Sequence, residues 1–366
     1  MIPTMTGAAL QARLLSLPRF PLATLPTPLV EAPRLAEALG IGRLLVKRDD
    51  LTGLAFGGNK VRQMEFFLGA AKAAGADLLI AGGQVDQSNH SRVAAASARA
   101  AGLRALIVAR PGGIHPGAQG NGLLTRMLAD EFLVLDELAD VPADRLAEVA
   151  HRAQVFEKLA SGRRAAGDRP YVITGTSIPL GAIGYVAGTL ELLDQLARLG
   201  VERPTVAVTS AGATQAGVEI ANRLLGEPLD VLGLAYLPTN GHGAEWVAQI
   251  ANGGAALLGV DLAIEAKTIE NDDGAAGPGY GALTPERREA MTLAARLEGL
   301  LLDPVYTATG MACLIGLARS GRFGPADTIV FIHTGGLPAL FAYANEILAN
   351  PTLADEVPAP GRAARE

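Results

Sequence analysis

Alternation between two kinds of segment limits this chain to few folds. Eight short apolar runs have the length and unbroken hydrophobicity of strands buried on both faces. They are "RLLVKRD" (43–49), "DLLIAGG" (77–83), "RALIVAR" (104–110), "EFLVLDE" (131–137), "PYVITG" (170–175), "TVAVTS" (205–210), "DVLGLAY" (230–236) and "TIVFIHTGG" (328–336). Alanine-rich stretches at 63–75, 90–102, 181–200 and 213–226 read as helices, each ending in the glycine that a C-terminal cap favours. Strands and helices in alternation give an α/β fold, with parallel sheets covered on both faces. In such sheets ligands gather at the carboxyl ends of strands. Three polar, glycine-bearing stretches follow strands directly: "GGQVDQSNH", "TSAGATQAG" and "HTGG". Together they mark one site.

The 366 residues exceed one simple domain, and 49% apolar against 19% charged residues are enough for a large core. A net charge of −6 argues against a nucleic-acid surface and gives no reason to invoke acidic lipid. The single cysteine, Cys313, rules out an intramolecular disulfide and points to a reducing, cytoplasmic setting. Residues 328–348 read as strand, loop and helix rather than a membrane span, since they contain His333, Pro338 and Glu346. The first twenty residues show no secretory pattern. A soluble cytoplasmic protein with no membrane or nucleic-acid partner is the expectation. The glycine-rich stretch 268–286 lacks apolar periodicity and reads as a long functional loop, and the tail 354–366 as frayed.

In "AFGGNKVRQMEFF" (55–67), Lys60 stands where a glycine loop turns into a helix, a setting that solubility does not require. In "TVAVTSAGATQAG", small residues between strand and helix let backbone N–H groups approach an anion at the helix start. No dinucleotide or P-loop pattern is present, so a phosphate monoester suits the turn better than a nucleotide, although a ligand-free strand–helix connection fits equally well. Gln87, Ser88, Asn89 and His90 crowd another helix start. One cap needs one of them, and the surplus donors could hold a substrate carboxylate. A lysine near a phosphate turn and a carboxylate turn fits pyridoxal 5'-phosphate, which needs an amine, a phosphate cradle and a partner for its ring nitrogen.

These segments occur in a familiar order: "PTPLVEAPRLAEALG", "LLVKRDDLTGLAFGGNKVRQMEFFLGAA", "QSNHSR", "GATQAG", "GPGYG", "DPVYT" and "HTGG". From about Pro21 to about Leu348 the chain resembles the pyridoxal-phosphate enzymes of the D-cysteine desulfhydrase and 1-aminocyclopropane-1-carboxylate (ACC) deaminase family. The resemblance implies two open three-layer α/β domains with mainly parallel sheets, the tryptophan synthase β-like fold type II. The small domain would span 62–176, inserted into a large one made of 1–61 and 177–366. It also implies a homodimer and a small amino-acid substrate.

By the same resemblance Lys60 is the Schiff-base lysine and the base that moves the Cα proton, and Asn59 bonds the cofactor's phenolic oxygen. Ser88 and Asn89, with Gln87 and His90, hold the substrate carboxylate. Ala211, Gly212, Ala213 and Thr214 cradle the phosphate, Tyr306 lies over the cofactor, and Tyr280 is a second active-site tyrosine. The ACC deaminase branch has an acid where this chain has Thr307 and a leucine where it has Thr334. A threonine hydroxyl facing the ring nitrogen makes a weaker electron sink than a carboxylate, which favours β-elimination of a good leaving group over cyclopropane opening. Gln63 replaces a lysine common in relatives, Asp86 falls in an apparent insertion at 84–86, and Thr309 ends a replaced Gly-Lys pair. ACC deamination, cysteate desulfonation, β-replacement and a non-catalytic cofactor-binding role stay open as alternatives.

Overall fold

The computed structural model describes residues 4–83, 87–112, 119–139, 145–174, 178–210, 212–239 and 241–348. The strands are β1 (Leu29–Glu31), β2 (Arg43–Lys47), β3 (Leu78–Gly83), β4 (Arg104–Ala109), β5 (Glu131–Val134), β6 (Pro170–Val172), β7 (Thr205–Thr209), β8 (Asp230–Leu234), β9 (Glu270–Asp272) and β10 (Thr328–Ile332). The longer helices are α1 (Gly7–Leu15), α2 (Pro33–Leu39), α3 (Asn59–Ala73), α4 (Asn89–Ala100), α5 (Gly120–Leu128), α6 (Arg145–Ala165), α7 (Ile178–Arg198), α8 (Ala213–Leu224), α9 (Gly243–Leu257), α10 (Pro285–Glu298) and α11 (Thr307–Arg319). Two short helices, α12 (Pro338–Ala342) and α13 (Ala344–Leu348), follow β10, so the hydrophobic stretch 328–348 is strand, loop and helix. Among the described residues no helix is long and apolar enough to cross a membrane.

Two sheets form. One has six strands in the order β1-β2-β10-β7-β8-β9, the other four in the order β5-β4-β3-β6. Every pairing is parallel except the antiparallel edge pair β1–β2. The continuous apolar runs follow from burial on both faces. In β10, Ile329 and Phe331 join the core shared with α2, α10 and α11, while Val330 and Ile332 join the core shared with α7 and α8. In the smaller sheet, Leu79, Ala81, Ala105 and Ile107 pack against α3 and α4. On its other face, Leu78, Ile80, Leu106 and Val108 pack against Phe156 and Ala160 of α6.

All eight expected strands are present, with ladders that stop before the polar ends of the sequence runs. Two strands had no apolar signal. β1 is three half-exposed residues at an edge, and β9 is the polar tripeptide "END" inside the stretch read as loop. Its pairing with β8 uses backbone groups, which hydropathy does not see. The expected boundary at 61/62 falls inside α3, and 176/177 lies outside the described residues, as do Asp86, Ala211 and the tail 354–366.

A buried ionic network joins the larger sheet to α3 and α7. Arg62 donates from Nε and Nη2 to the two oxygens of Asp49, both at 2.9 Å. Asp49 also accepts from Thr27 (2.7 Å) and Tyr185 (2.6 Å). Arg62 and Lys47 both reach Glu191, at 2.8 and 2.5 Å. Burial works to raise the Asp49 carboxyl, but the Arg62 charge and hydrogen bonds outweigh it and hold the group below the usual range. Replacing Arg62 with leucine would leave Asp49 charged and buried, and we expect a loss of about 3–5 kcal/mol in chemical denaturation.

Glu219 of α8 is buried differently. Among the described residues its Oε2 makes no hydrogen bond, Arg223 Nε standing 3.6 Å away, and burial raises its carboxyl from the usual 4.5 to about 7 against the pull of Arg223. A raised carboxyl favours the folded state below 4.5, and that contribution is lost as pH rises through 7. Glu219→Gln should therefore match the parent at pH 4 and exceed its stability at pH 8, by up to about 3 kcal/mol. Denaturation curves at the two pH values check this.

Candidate active site

The carboxyl ends of β3, β6, β7, β8 and β10 converge on a cavity of about 180 Å³ between the two sheets. Lys60 enters it from the first turn of α3. The loop before Lys60 is held in an unusual path, with Ala55, Phe56, Gly57 and Gly58 all at positive φ. A Cβ on Gly57 would stand 2.2 Å from the Asp50 carbonyl, and one on Gly335 would stand 2.7 Å from the Gly58 Cα. The "GGNK" and "HTGG" segments thus touch backbone to backbone, which glycine alone permits. The Asn59 N–H donates to the Thr334 carbonyl at 2.9 Å. Arg92 of α4 donates to the carbonyls of Ala55 and Gly57, pinning the loop from the other side.

At the start of α8, Gly212 and Ala213 line the cavity beside Ser210 and Thr209. The Thr214 hydroxyl accepts from Asn59 Nδ2 at 2.9 Å and from Gln63 Nε2 at 3.1 Å. A hydroxyl oxygen has two lone pairs and one proton, so that proton is left for an acceptor other than these amides. The N–H groups of the first helical turn, beside Gly212 and Ala213, make an anion site. Thr209 Oγ1 is buried against Gly310 of α11, with no hydrogen-bond partner among the described residues.

Ser88 caps α4, accepting from the Ser91 N–H at 3.2 Å, and lines the cavity with Asn89 and His90. Asn89 Oδ1 accepts from Asn121 at 2.9 Å, which leaves its Nδ2 donor for the cavity. Gln87 departs from expectation. Its Oε1 accepts from the Asn121 N–H at 3.1 Å, and it is not among the lining residues. It docks α5 and does not face the substrate space. His90 lies deep in the cleft, with part of its surface facing the cavity. Burial, helped by the charges of Lys60 and Arg152, lowers its pKa to about 3. The ring is therefore a neutral hydrogen-bonding group at any working pH.

Tyr280 and Tyr306 close the opposite wall with hydroxyls 2.5 Å apart. Tyr236, which sequence reasoning passed over, packs edge-on to Tyr306 with centroids 4.9 Å apart. Its signal was available, since it directly follows β8 at a strand carboxyl end. Arg152 also lines the cavity from α6, a polar helix that gave no hint of it. Of the two threonines expected at the ring nitrogen, Thr334 lines the cavity and Thr307 does not. The Thr307 hydroxyl donates to Asp303 Oδ1 at 2.8 Å as part of the turn that opens α11. Thr309 likewise turns to its own helix, donating to the Val305 carbonyl at 2.9 Å. No carboxylate lines the cavity among the described residues.

Residues 21–335 match the model of the family described as pyridoxal-phosphate dependent enzyme. A D-cysteine desulfhydrase of Salmonella choleraesuis (strain SC-B67) is 40% identical over 333 residues, 89% of this chain and 96% of that protein. A protein of Pyrococcus abyssi (strain GE5 / Orsay), provisionally named 1-aminocyclopropane-1-carboxylate deaminase, is 35% identical over 337 residues, 91% of this chain and 96% of that protein. The crystal structure of an ACC deaminase homologue superposes with a TM-score of 0.81 at 32% identity, covering 93% of this chain and 98% of the other.

The depressed pKa of His90 yields a direct check. In a histidine-selective NMR titration, its ring resonances should stay at their neutral positions from pH 5 to pH 8, whereas an ordinary histidine titrates near ~6.5.

Proposed function

Because the chain belongs to the pyridoxal-phosphate dependent enzymes, we propose that it is a lyase acting on D-cysteine or a similar β-substituted amino acid. With D-cysteine, one water is consumed and the products are pyruvate, hydrogen sulfide and ammonia. The residues fit the cofactor. Lys60 presents an amine to the cavity, and the start of α8, where Gly212 and Ala213 line it, receives a phosphate on its first-turn N–H groups. Asn59, Gly212, Ala213, Thr214, Tyr306 and Thr334 would hold the group, and Ala211 belongs to the same turn in sequence. When bound, pyridoxal phosphate supplies an electron sink for the bonds at the substrate Cα.

The chain's own residues carry the rest. Ser88 and the Asn89 Nδ2, at the positive end of α4, bind and orient the substrate carboxylate, and neutral His90 donates alongside. The Lys60 amine, once free, takes the proton from Cα. The phenols of Tyr280 and Tyr306 hydrogen-bond each other at the cavity wall, and one of them delivers its proton to the departing sulfur. The observation that carries this reading is that hydroxyls, amides and cations line the cavity among the described residues, and no carboxylate does. With threonines and no described carboxylate at the cavity, electron withdrawal is modest, which suits a leaving group that departs readily. The 40% identity to a D-cysteine desulfhydrase supports the same substrate class. ACC deamination is the second reading, favoured by the names of the two other relatives.

We further propose a cytoplasmic homodimer and the division into 62–176 and the remainder, supported by all four strands of the smaller sheet lying between residues 78 and 172.

D-cysteine, L-cysteate and ACC should be compared by keto-acid, sulfide and sulfite release. Pyruvate and sulfide from D-cysteine are expected. Turnover of ACC alone would replace this reading with the second. Lys60→Ala should cost at least ~10³-fold in turnover. Borohydride should leave a pyridoxyl tag on Lys60 of the parent and none on the variant.

A further inference from the structure

Gln63 lies one helical turn after Lys60, on the same side of α3. Its amide is held at both ends. Oε1 accepts from Lys60 Nζ at 3.4 Å, a long contact, and Nε2 donates to Thr214 Oγ1 at 3.1 Å. A protonated Lys60 can only donate, so the amide oxygen must face it, which leaves Nε2 for the Thr214 hydroxyl. Gln63 is 3% exposed and lines the cavity, so water does not compete strongly for either end. Thr214 belongs to the first turn of α8, whose Gly212 and Ala213 line the cavity, and Gln63 supplies one of the two bonds its hydroxyl accepts. One neutral side chain thus touches the amine on one side and the anion turn on the other.

We propose that Gln63 is a positioning residue that couples the Lys60 amine to the anion-binding turn of α8 through the Thr214 hydroxyl. This rests on the cofactor reading above. In a chain with a cation at this position, the phosphate would be held by charge and the amine would face a like charge. Here the turn offers helix N–H groups, held to α3 through the Thr214 hydroxyl, and the amine faces an accepting carbonyl. Three variants separate these effects. Gln63→Lys adds a charge that attracts the phosphate and repels a protonated Lys60. Gln63→Glu does the reverse, and Gln63→Leu removes both bonds without adding charge. Lys60 also faces His90 from α4, Arg152 from α6 and the phenols of Tyr236, Tyr280 and Tyr306 around the cavity, and these stay constant across the series.

The test uses the full-length chain loaded with pyridoxal phosphate. It reads the dissociation constant of the cofactor, the midpoint of the pH-dependent absorbance change of the chromophore held on Lys60, and the thermal midpoint. Relative to the parent, Gln63→Lys should tighten the cofactor about tenfold and lower the absorbance midpoint by about one pH unit. Gln63→Glu should loosen it by a similar factor and raise the midpoint, and Gln63→Leu should loosen it less with a small downward shift. A purely structural Gln63 would instead give lower thermal midpoints with dissociation constants and absorbance midpoints unchanged, and that outcome overturns the coupling. If the parent itself carries no borohydride-trappable cofactor on Lys60, the cofactor reading fails and the inference falls with it. A normal parent with an insensitive series defeats the inference alone.

Discussion

The Arg62–Asp49 ion pair is the constraint on which the remaining geometry depends. Asp49 lies two residues past the end of β2, the strand next to the edge of the larger sheet, and Arg62 lies two residues beyond Lys60 on α3. Two residues along a helix turn a side chain by about 200°, so fixing Arg62 in the protein interior sends Lys60 toward the opposite side, into the cleft. Removing two charges from water is costly. Asp49 recovers that cost by accepting four hydrogen bonds, two from Arg62 and one each from Thr27 and Tyr185. The pair gives α3 one azimuth relative to the larger sheet, and the reactive amine inherits it.

From that anchored helix the site is assembled by close approach more than by charge. Gly57, Gly58 and Gly335 let the loop before Lys60 touch the loop after β10, and Arg92 ties the same loop to α4. Asn59 and Gln63 reach from α3 to Thr214 on α8. The amine, the anion turn and the carboxylate turn therefore occupy one cavity although they come from three helices and both sheets. The hydroxyls of Thr334, Tyr280 and Tyr306 and the neutral ring of His90 give it a polar lining with little fixed charge. Lys60 and Arg152 are its cationic side chains among the described lining residues.

Much of this was legible from residues. Strands buried on both faces announce themselves by unbroken apolar runs, and glycines beside Lys60 announce a loop that must pass close to something. Failures came where structure rests on backbone or distant partners. β9 pairs through main-chain groups with no apolar side chain to reveal it. Gln87 belongs to a cluster whose composition fits a carboxylate site, yet its amide is taken by Asn121, thirty-odd residues along the chain. Thr307 follows Tyr306 in sequence, but Tyr306 precedes α11 while Thr307 opens it, and the Thr307 hydroxyl is held by Asp303. Arg152 arrives from α6 with no local mark.

The sequence alone determined the α/β class, the order of the strands that carry the cavity, and the residue types offered at each loop, because periodicity and glycine placement are local properties. Only the tertiary structure decided which offered side chains face the cavity. Whether a donor meets a ligand or a neighbouring helix depends on partners far away in the chain, and satisfying every buried polar group at once is a constraint that no local window contains.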